Sequence, residues 1–444
     1  MPSAAFYTLG CKVNQYETDA MMGLFESKGY KLVDFDDTAD VYVINTCTVT
    51  SQGARKSRQI IRRAVKKNPD SIIAVVGCYS QVAEEEIKKI EGVDLILGTK
   101  DKHKIVELVE SIAKSHRNLS PFVHVCDISK LNVFEEISPY IYKERTRAFI
   151  KIQEGCEQYC SYCIIPYARG PARSREPKAI LREAKKLSER GFKEIVLTGI
   201  HLGTYGKGLN NEKITNKGIG LEYILKELIK IDGIERIRLS SIEPTEISKE
   251  LIDIMKNSSK ICPHLHIPLQ SGSYKILKKM NRPYTPEQYK KIISKIREEI
   301  KDVAISTDVM VGFPGETQDL FDETLKFIEE IGFSRTHIFK YSPHPETLAA
   351  SLPDQVPSKV KNTRSRILED ITKKQEYNFY KGFLGRTLKV LIEQEYNKEE
   401  NLIIGYTQNY IPVYLSGDIL LQGTIQDVKL VEVKDGYVYG VKIS

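Results

Sequence analysis

The chain predicts a three-part α/β protein: a parallel, doubly wound α/β domain, then an open or partial barrel of six β/α units, then a small all-β barrel. Three observations carry this. Short apolar runs alternate with helical patterns up to about residue 115. A second alternation runs from Ala148 to about Tyr341. From about Phe383 only short β-rich runs remain, separated by turn residues. A length of 444 residues suits about three domains. An apolar content of 41% supplies cores and excludes a disordered chain. No apolar run approaches the roughly 18 residues of a membrane helix, and no signal peptide is legible, so a cytoplasmic chain away from membranes is expected. Thiols stay reduced there. The eight cysteines therefore read as metal ligands, catalytic groups or buried fillers rather than disulfides.

In residues 1–115 the strand candidates are Ala4–Leu9, Val41–Thr46, Ile72–Gly77 and Val93–Leu97, with helices near 15–28, 52–67, 82–90 and 101–115. Asn68-Pro69-Asp70 marks a stop and turn. Residues 116–146 lose the rhythm; with Ser120-Pro121, Cys126 and the polar stretch Tyr142–Arg147, they read as a linker. In residues 147–380 the strand candidates are Ala148–Gln153, Glu194–Thr198, Arg236–Ser240, His264–Ile267, Ala304–Val309 and Ser334–Phe339. Gly203–Gly220 is rich in Gly and Asn and reads as a mobile loop, and 357–380 as a polar helix. Residues 381–444 carry five runs: Thr387–Glu393, Leu402–Thr407, Ile411–Leu415, Gly423–Leu430 and Tyr437–Ile443. They suit a five-stranded barrel.

The strongest local signal is Cys156-Glu-Gln-Tyr-Cys160-Ser-Tyr-Cys163, spaced C-x3-C-x2-C after a strand candidate and Gly155. Soft thiolates select iron–sulfur clusters or zinc. A closed zinc site wants four ligands, and no fourth Cys or His lies nearby. Three ligands leave one iron of a cubane open; a zinc knuckle with a distant fourth ligand, or buried thiols, is the alternative. Cys11, Cys47 and Cys78 lie 36 and 31 residues apart, which no local motif explains. Each follows an apolar run directly. In a parallel sheet those run ends share one edge, where open α/β folds bind ligands. Three buried cysteines would look the same by spacing.

At Cys156–Cys163 the chain resembles the radical S-adenosylmethionine (SAM) enzymes. The resemblance implies a [4Fe–4S] cluster on Cys156, Cys160 and Cys163 whose open iron binds SAM, with Tyr162 beside the adenine. It places Thr198 and Gly199 near the methionyl group, although the family's Gly-Gly-Glu turn is absent here. Ser241, Glu243, Gln270, Gly312 and Phe313 end later strands and are further candidates for SAM contact. Gly10–Gln15, Asn45–Thr50 and Gly77-Cys78 are similar to the N-terminal domain of the methylthiotransferases. That implies a second, auxiliary [4Fe–4S] cluster on Cys11, Cys47 and Cys78, which handles the sulfur, and a C-terminal TRAM barrel associated with RNA. One SAM would methylate the sulfur and a second would supply the radical. Cys126 and Cys262 match neither triplet and read as structural.

Thr8–Glu17, the basic run after Cys47, Lys151–Cys156 and Pro166–Gly170 look most like the MtaB group. Its members convert N6-threonylcarbamoyladenosine at position 37 (t6A37) of tRNAs reading ANN codons to the 2-methylthio form. Sibling branches act on isopentenyladenosine or on a ribosomal-protein aspartate; an RNA-binding protein with structural zinc is the alternative of another class. Independently, Gln52–Lys67 carries Arg55, Lys56, Arg58, Arg62, Arg63, Lys66 and Lys67 and no acid, a footprint for RNA phosphates. Arg169, Arg173 and Arg175 are candidates for phosphate or SAM carboxylate. The last domain is not basic, with seven cations and eight acids over 381–444, so RNA contact there would fall to aromatics such as Tyr406, Tyr410 and Tyr414. Expected partners are the tRNA anticodon stem-loop, a flavodoxin-like or ferredoxin-like electron donor and a sulfur source; a monomer is expected.

Overall fold

The computed structural model describes residues 1–115, 120–137, 146–209, 219–397 and 401–443. Most of the polar stretch Tyr142–Arg147 and the centre of the loop Gly203–Gly220 lie outside the described residues.

The first sheet has β1 (Ser3–Thr8), β2 (Lys31–Val33), β3 (Val41–Thr46), β4 (Ile72–Gly77), β5 (Leu95–Leu97) and β6 (Phe122–His124). All neighbours are parallel, in the order β2-β1-β3-β4-β5-β6. Its helices are α1 (Lys12–Ser27), α2 (Ser51–Lys67), α3 (Cys78–Val82), α4 (Glu84–Lys88) and α5 (Ile105–Lys114). Met21 and Phe25 of α1 and Ile105 and Val109 of α5 cover one face of the sheet, over Val41, Val43, Ala74 and Val76. Ile60, Ile61 and Ala64 of α2 cover the other, over Tyr42, Ile44, Ile73 and Val75. The unbroken apolar sequences of β3 and β4 answer this two-sided burial. After β1 the chain moves out to β2 and then crosses back to β3 on the other side. The crevice at the carboxyl ends of β1 and β3 is thus a topological switch point, the place where open α/β sheets bind ligands.

The structure differs from the sequence reading here in three ways. The edge strands β2 and β6 are additions, half exposed and without the buried apolar run that marks the other strands. β6 lies inside the segment expected as a crossing and pairs with β5. The helix expected at 82–90 is two short helices, and the first begins on Cys78 itself.

The central part holds β7 (Arg147–Lys151), β8 (Gln153–Glu154), β9 (Arg173–Ser174), β10 (Glu194–Thr198), β11 (Arg236–Leu239), β12 (His264–His266), β13 (Ala304–Val311) and β14 (Arg335–Lys340). β11-β10-β7 and β12-β13-β14 are two parallel three-stranded sheets. A bridge between Ile237 and Ile261 links them into a six-stranded partial barrel. Ile150, Ile195, Leu197, Ile237, Leu265, Ile305 and Val309 fill its core. The short antiparallel pair β8–β9 brackets the loop carrying Cys156–Cys163.

The last five strands are β15 (Thr387–Asn397), β16 (Leu402–Thr407), β17 (Pro412–Ser416), β18 (Ile425–Lys434) and β19 (Tyr437–Lys442). They close as β15-β16-β17-β19-β18 around Val390, Ile392, Val413, Val428, Leu430 and Val438. Register shifts in β15 and β18 supply the bends that closure needs. This barrel seats on the central one through buried arginines. Arg236 donates to the carbonyls of Tyr406 (2.9 Å) and Lys389 (2.7 Å), and Arg238 to that of Gln408 (2.9 Å).

Candidate functional site

β1, β3 and β4 end side by side, with Thr8 opposite Asn45 and Thr46 opposite Gly77. Cys11 caps α1, Cys47 follows β3 and Cys78 opens α3, so the fold brings the three together from distant sequence. A Cβ on Gly10, at φ +99°, would lie 2.9 Å from the Cys47 Cβ, so only glycine lets the first cysteine turn approach the second. The Asn14 amide locks the two turns, donating to the carbonyls of Leu9 (2.7 Å) and Thr46 (3.0 Å). Burial, then the neighbouring Cys78 thiol, push the Cys47 thiol up to about 12.

Behind Cys78 lies a buried ion network. Arg169, which ends α6 (Ile165–Arg169), is fully buried and donates from Nε to the Cys78 Sγ at 3.3 Å. Its other nitrogens reach Glu17 (2.5 and 3.1 Å) and Glu154 (2.8 Å). Lys151 joins the same two carboxylates at 3.0 and 3.1 Å, Lys102 joins Glu17 at 3.2 Å, and Arg173 joins Glu154 at 3.5 Å. Burial alone would raise both carboxyls. The cations outweigh it, chiefly Arg169 for Glu17 and Lys151 for Glu154, and hold Glu17 well below the usual carboxylate range and Glu154 at about 2. Two anions thus face four buried cations, an excess of positive charge that suits thiolate ligands at Cys78. The network also joins the first sheet to the Cys156–Cys163 loop.

In that loop, Gly155 (φ +77°) has no room for a Cβ, which would fall 1.9 Å from the Pro171 carbonyl oxygen. Cys156 Sγ accepts from the Gln158 N–H and lies 3.4 Å from His201 Nδ1. Cys160 Sγ accepts from Arg282 at 3.3 Å, and Arg282 also pairs with Glu243. Burial raises the Cys160 thiol, and burial with the neighbouring Cys160 pushes Cys163 up to about 12. Burial thus favours the protonated thiol at Cys47, Cys78, Cys160 and Cys163, and a metal bound there would displace those protons.

Zinc and a cubane ask for different spacings of their sulfur ligands. Around one zinc ion, ligand sulfurs sit about 3.8 Å apart. Neither triplet has all its sulfurs within 4.8 Å of one another. A cubane, which carries each thiolate on its own iron, fits the wider spacing. Among the described residues, the one group meeting the single-ion criterion is Asp101, His124 and Cys126. Cys126, expected as structural, is thus in a polar cluster; Cys262 is buried in the barrel wall, as expected of a structural residue.

Of the expected SAM contacts, Tyr162 and Phe313 pack edge to face with ring centres 6.5 Å apart, and Glu243 reaches Cys160 through Arg282. Thr198 and Gly199 end β10 against Gln153, whose side chain accepts from the His201 N–H. Ser241 is exposed in a cavity described below, and Gln270 holds a left-handed turn at φ +66°. Gly312 is packed under Lys361, with its N–H on Glu316. Sequence reasoning missed His201, Arg282 and Gln153. Their contacts with the cysteine loop or its flanks span 45 to 122 residues, beyond any local spacing.

Two expectations are corrected. Arg169, Arg173 and Arg175 are buried and committed to carboxylates, Arg175 to Glu136 and Glu183, because the domains close over them. Tyr406 and Tyr410 stack on each other at 5.1 Å and face the central barrel, where Arg147 donates to the Tyr410 hydroxyl at 3.0 Å. Tyr414 instead joins Tyr396 and Tyr437 in an outer aromatic cluster. On α2, Arg58 bonds Glu86 and Arg63 pairs with Asp36. Arg55, Lys56, Arg62, Lys66 and Lys67 are exposed, with no ion pair among the described residues.

A cavity of about 440 Å³ opens where α1, the end of β11, one face of β12–β14 and the small barrel meet; Lys12, Ser240, Ser241, Asp308 and Tyr410 are among its walls. Burial lowers the Lys12 ammonium from its ordinary value.

Three family descriptions match this chain: the radical SAM superfamily over 150–328, the uncharacterized protein family UPF0004 over 3–98, and the TRAM domain over 381–443. The fold and its cysteine triplets therefore define a radical SAM enzyme, whose cofactors are SAM and [4Fe–4S] clusters. The solved structure of the radical SAM methyltransferase TsrM from Kitasatospora setae shares the fold, with TM-score 0.56 at 16% identity over 79% of this chain and 77% of that one. The threonylcarbamoyladenosine tRNA methylthiotransferase MtaB of Bacillus subtilis is 44% identical over 99% of this chain and 95% of its own length. Its counterpart in Aquifex aeolicus is 42% identical over 93% of this chain and 96% of its own. A tRNA-2-methylthio-N(6)-dimethylallyladenosine synthase of Thermoanaerobacter is 37% identical over 96% of this chain and 90% of its own. The chain belongs to the radical SAM methylthiotransferase family, of the MtaB type.

Proposed function

We propose that the protein converts t6A37 of ANN-decoding tRNAs to 2-methylthio-t6A37. The observation that carries this reading is the meeting of two cysteine triplets across one buried ion network, in a chain 44% identical to an MtaB protein over 99% of its length. Cys156, Cys160 and Cys163 hold one [4Fe–4S] cluster, and Cys11, Cys47 and Cys78 the other. With SAM, such groups supply hydrogen abstraction from an unactivated C–H bond and sulfur insertion, which acid–base side chains cannot provide. Tyr162, Thr198, Gly199, Ser241, Glu243, Gln270, Gly312 and Phe313 form the SAM surroundings. Arg282 fixes Cys160 and Glu243 together, and Arg169 keeps cationic charge against Cys78.

RNA phosphates lie along Arg55, Lys56, Arg62, Lys66 and Lys67 of α2, which starts four residues after Cys47. The anticodon loop suits the site because its bases unstack at little cost. A first domain over 1–115 completed by the edge strand β6 from the segment 116–146, further domains at 147–380 and 381–444, a monomeric state, a cytoplasmic location, a flavodoxin-like or ferredoxin-like reductant and a separate sulfur source complete the proposal. No helix of the described residues is long and apolar enough to cross a membrane.

The test is nucleoside mass spectrometry of tRNA from cells lacking their own methylthiotransferases, with and without this protein. New 2-methylthio-t6A is expected. A methylthio group on isopentenyladenosine instead would move the protein to the sibling branch.

A further inference from the structure

The cavity beside Lys12 contains three unmet demands. Lys12 lines it, yet no carboxylate pairs with its ammonium among the described residues. The one carboxylate in the cavity wall, Asp308, is held by His266 at 3.2 Å. Ser240 and His264, wall residues more than nine-tenths buried, each carry a polar atom, Oγ and Nδ1, with no hydrogen-bond partner among the described residues. A buried polar atom left unpaired costs free energy that a ligand can recover. Phe339, Phe379 and Tyr410 add flat apolar surface. A volume of about 440 Å³ lies within the roughly 300–1,000 Å³ of small-molecule pockets. The matching ligand is flat and aromatic, with a polar arm that ends in a carboxylate.

We infer that this cavity receives the threonylcarbamoyl arm of the substrate adenosine and that the Lys12 ammonium binds the arm's carboxylate. The assignment rests on the substrate reading above and deepens it. The chemistry is consistent: C6, whose amino nitrogen bears the arm, and C2, which is modified, flank the same ring nitrogen. Lys12 directly follows Cys11, so an arm held at Lys12 keeps C2 on the side of the N-terminal triplet. SAM also carries a carboxylate. Of the residues set around SAM above, Ser241 alone lines this cavity, and Cys160, Tyr162 and Phe313 do not, so the two spaces adjoin at Ser241 rather than coincide. An arm without a carboxylate, such as an isopentenyl group, would leave Lys12 unpaired, so this residue discriminates between sibling substrates.

The test measures binding of anticodon stem-loop RNAs to the holoenzyme, one with t6A37 and one with unmodified A37, by fluorescence anisotropy. A charge-assisted hydrogen bond should give the wild type roughly tenfold preference for t6A37. Lys12→Met should cut the preference to within about twofold, and Lys12→Arg should restore most of it. Iron content checks that Lys12→Met stays assembled. If it does not, Ser240→Ala carries the test, with a loss of about threefold. A wild-type preference that survives both Lys12→Met and Ser240→Ala overturns the assignment alone. If Lys12→Met weakens SAM binding and spares the preference, the carboxylate is SAM's and the assignment is overturned. A wild type that binds both loops equally overturns the substrate reading, and the assignment with it.

Discussion

Replacing Arg169 by Met tests the link between the two cysteine sites. The guanidinium is fully buried, donates to Cys78 and bridges Glu17 and Glu154, which come from different domains. Removing one partner of a buried ion pair costs about 3–5 kcal/mol, because a desolvated charge is left behind. Here Glu17 keeps Lys102 and Lys151, and Glu154 keeps Lys151 and Arg173. Neither carboxylate is orphaned, so the low end applies, about 3 kcal/mol. For domains of this size that is a fall in Tm of about 6–12 °C. Arg169→Lys keeps the charge but not the forked geometry, and should fall between Met and wild type. Loss of the Nε donor should also lower iron at the N-terminal triplet. Thermal unfolding by circular dichroism and iron per chain, both on anaerobically purified protein, read these effects. A change in Tm within about 2 °C with unchanged iron would refute the reasoning.

Other consequences follow from single features. Arg55→Gln with Arg62→Gln should reduce the slope of log Kd for tRNA against log salt by about 2, whereas Arg58→Gln, already paired with Glu86, should change it less; equal slopes would remove α2 from the RNA face. Gly10→Ala must accept φ +99° and a Cβ 2.9 Å from that of Cys47, so it should deplete iron while leaving the central barrel folded. Gly29→Ala, at φ +85° with nothing within 4 Å, is its control and should retain full iron.

Much of this architecture is legible in the sequence because parallel sheets obey strong rules. Cys11, Cys47 and Cys78 become neighbours once each is seen to follow a strand, since parallel strands end at one edge. Cys156, Cys160 and Cys163 need only local spacing. β2 and β6, the half-exposed edge strands of the first sheet, carry no buried apolar run and escape such reading, whereas the equally short β5 and β12 are buried and legible. So does the inward turn of Tyr406 and Tyr410, which depends on the seating of one barrel on another. Arg169, Arg173 and Arg175 read as contacts for phosphate or the SAM carboxylate because a charged residue is rarely buried. Their interior place depends on carboxylates as far off as Glu17, 152 residues from Arg169. Lys12 lies in the Gly10–Gln15 motif with no role assigned by it, and only the cavity shows it without a counterion among the described residues.

Iron and acid-labile sulfide per chain test the central claim most directly. They should be compared in the wild type, in a variant with Cys11, Cys47 and Cys78 changed to Ala, and in one with Cys156, Cys160 and Cys163 changed to Ala. The account expects about eight irons per chain in the first and about four in each of the others. An N-terminal variant that keeps the full wild-type iron, or a wild type that carries zinc in place of half of it, would contradict the account.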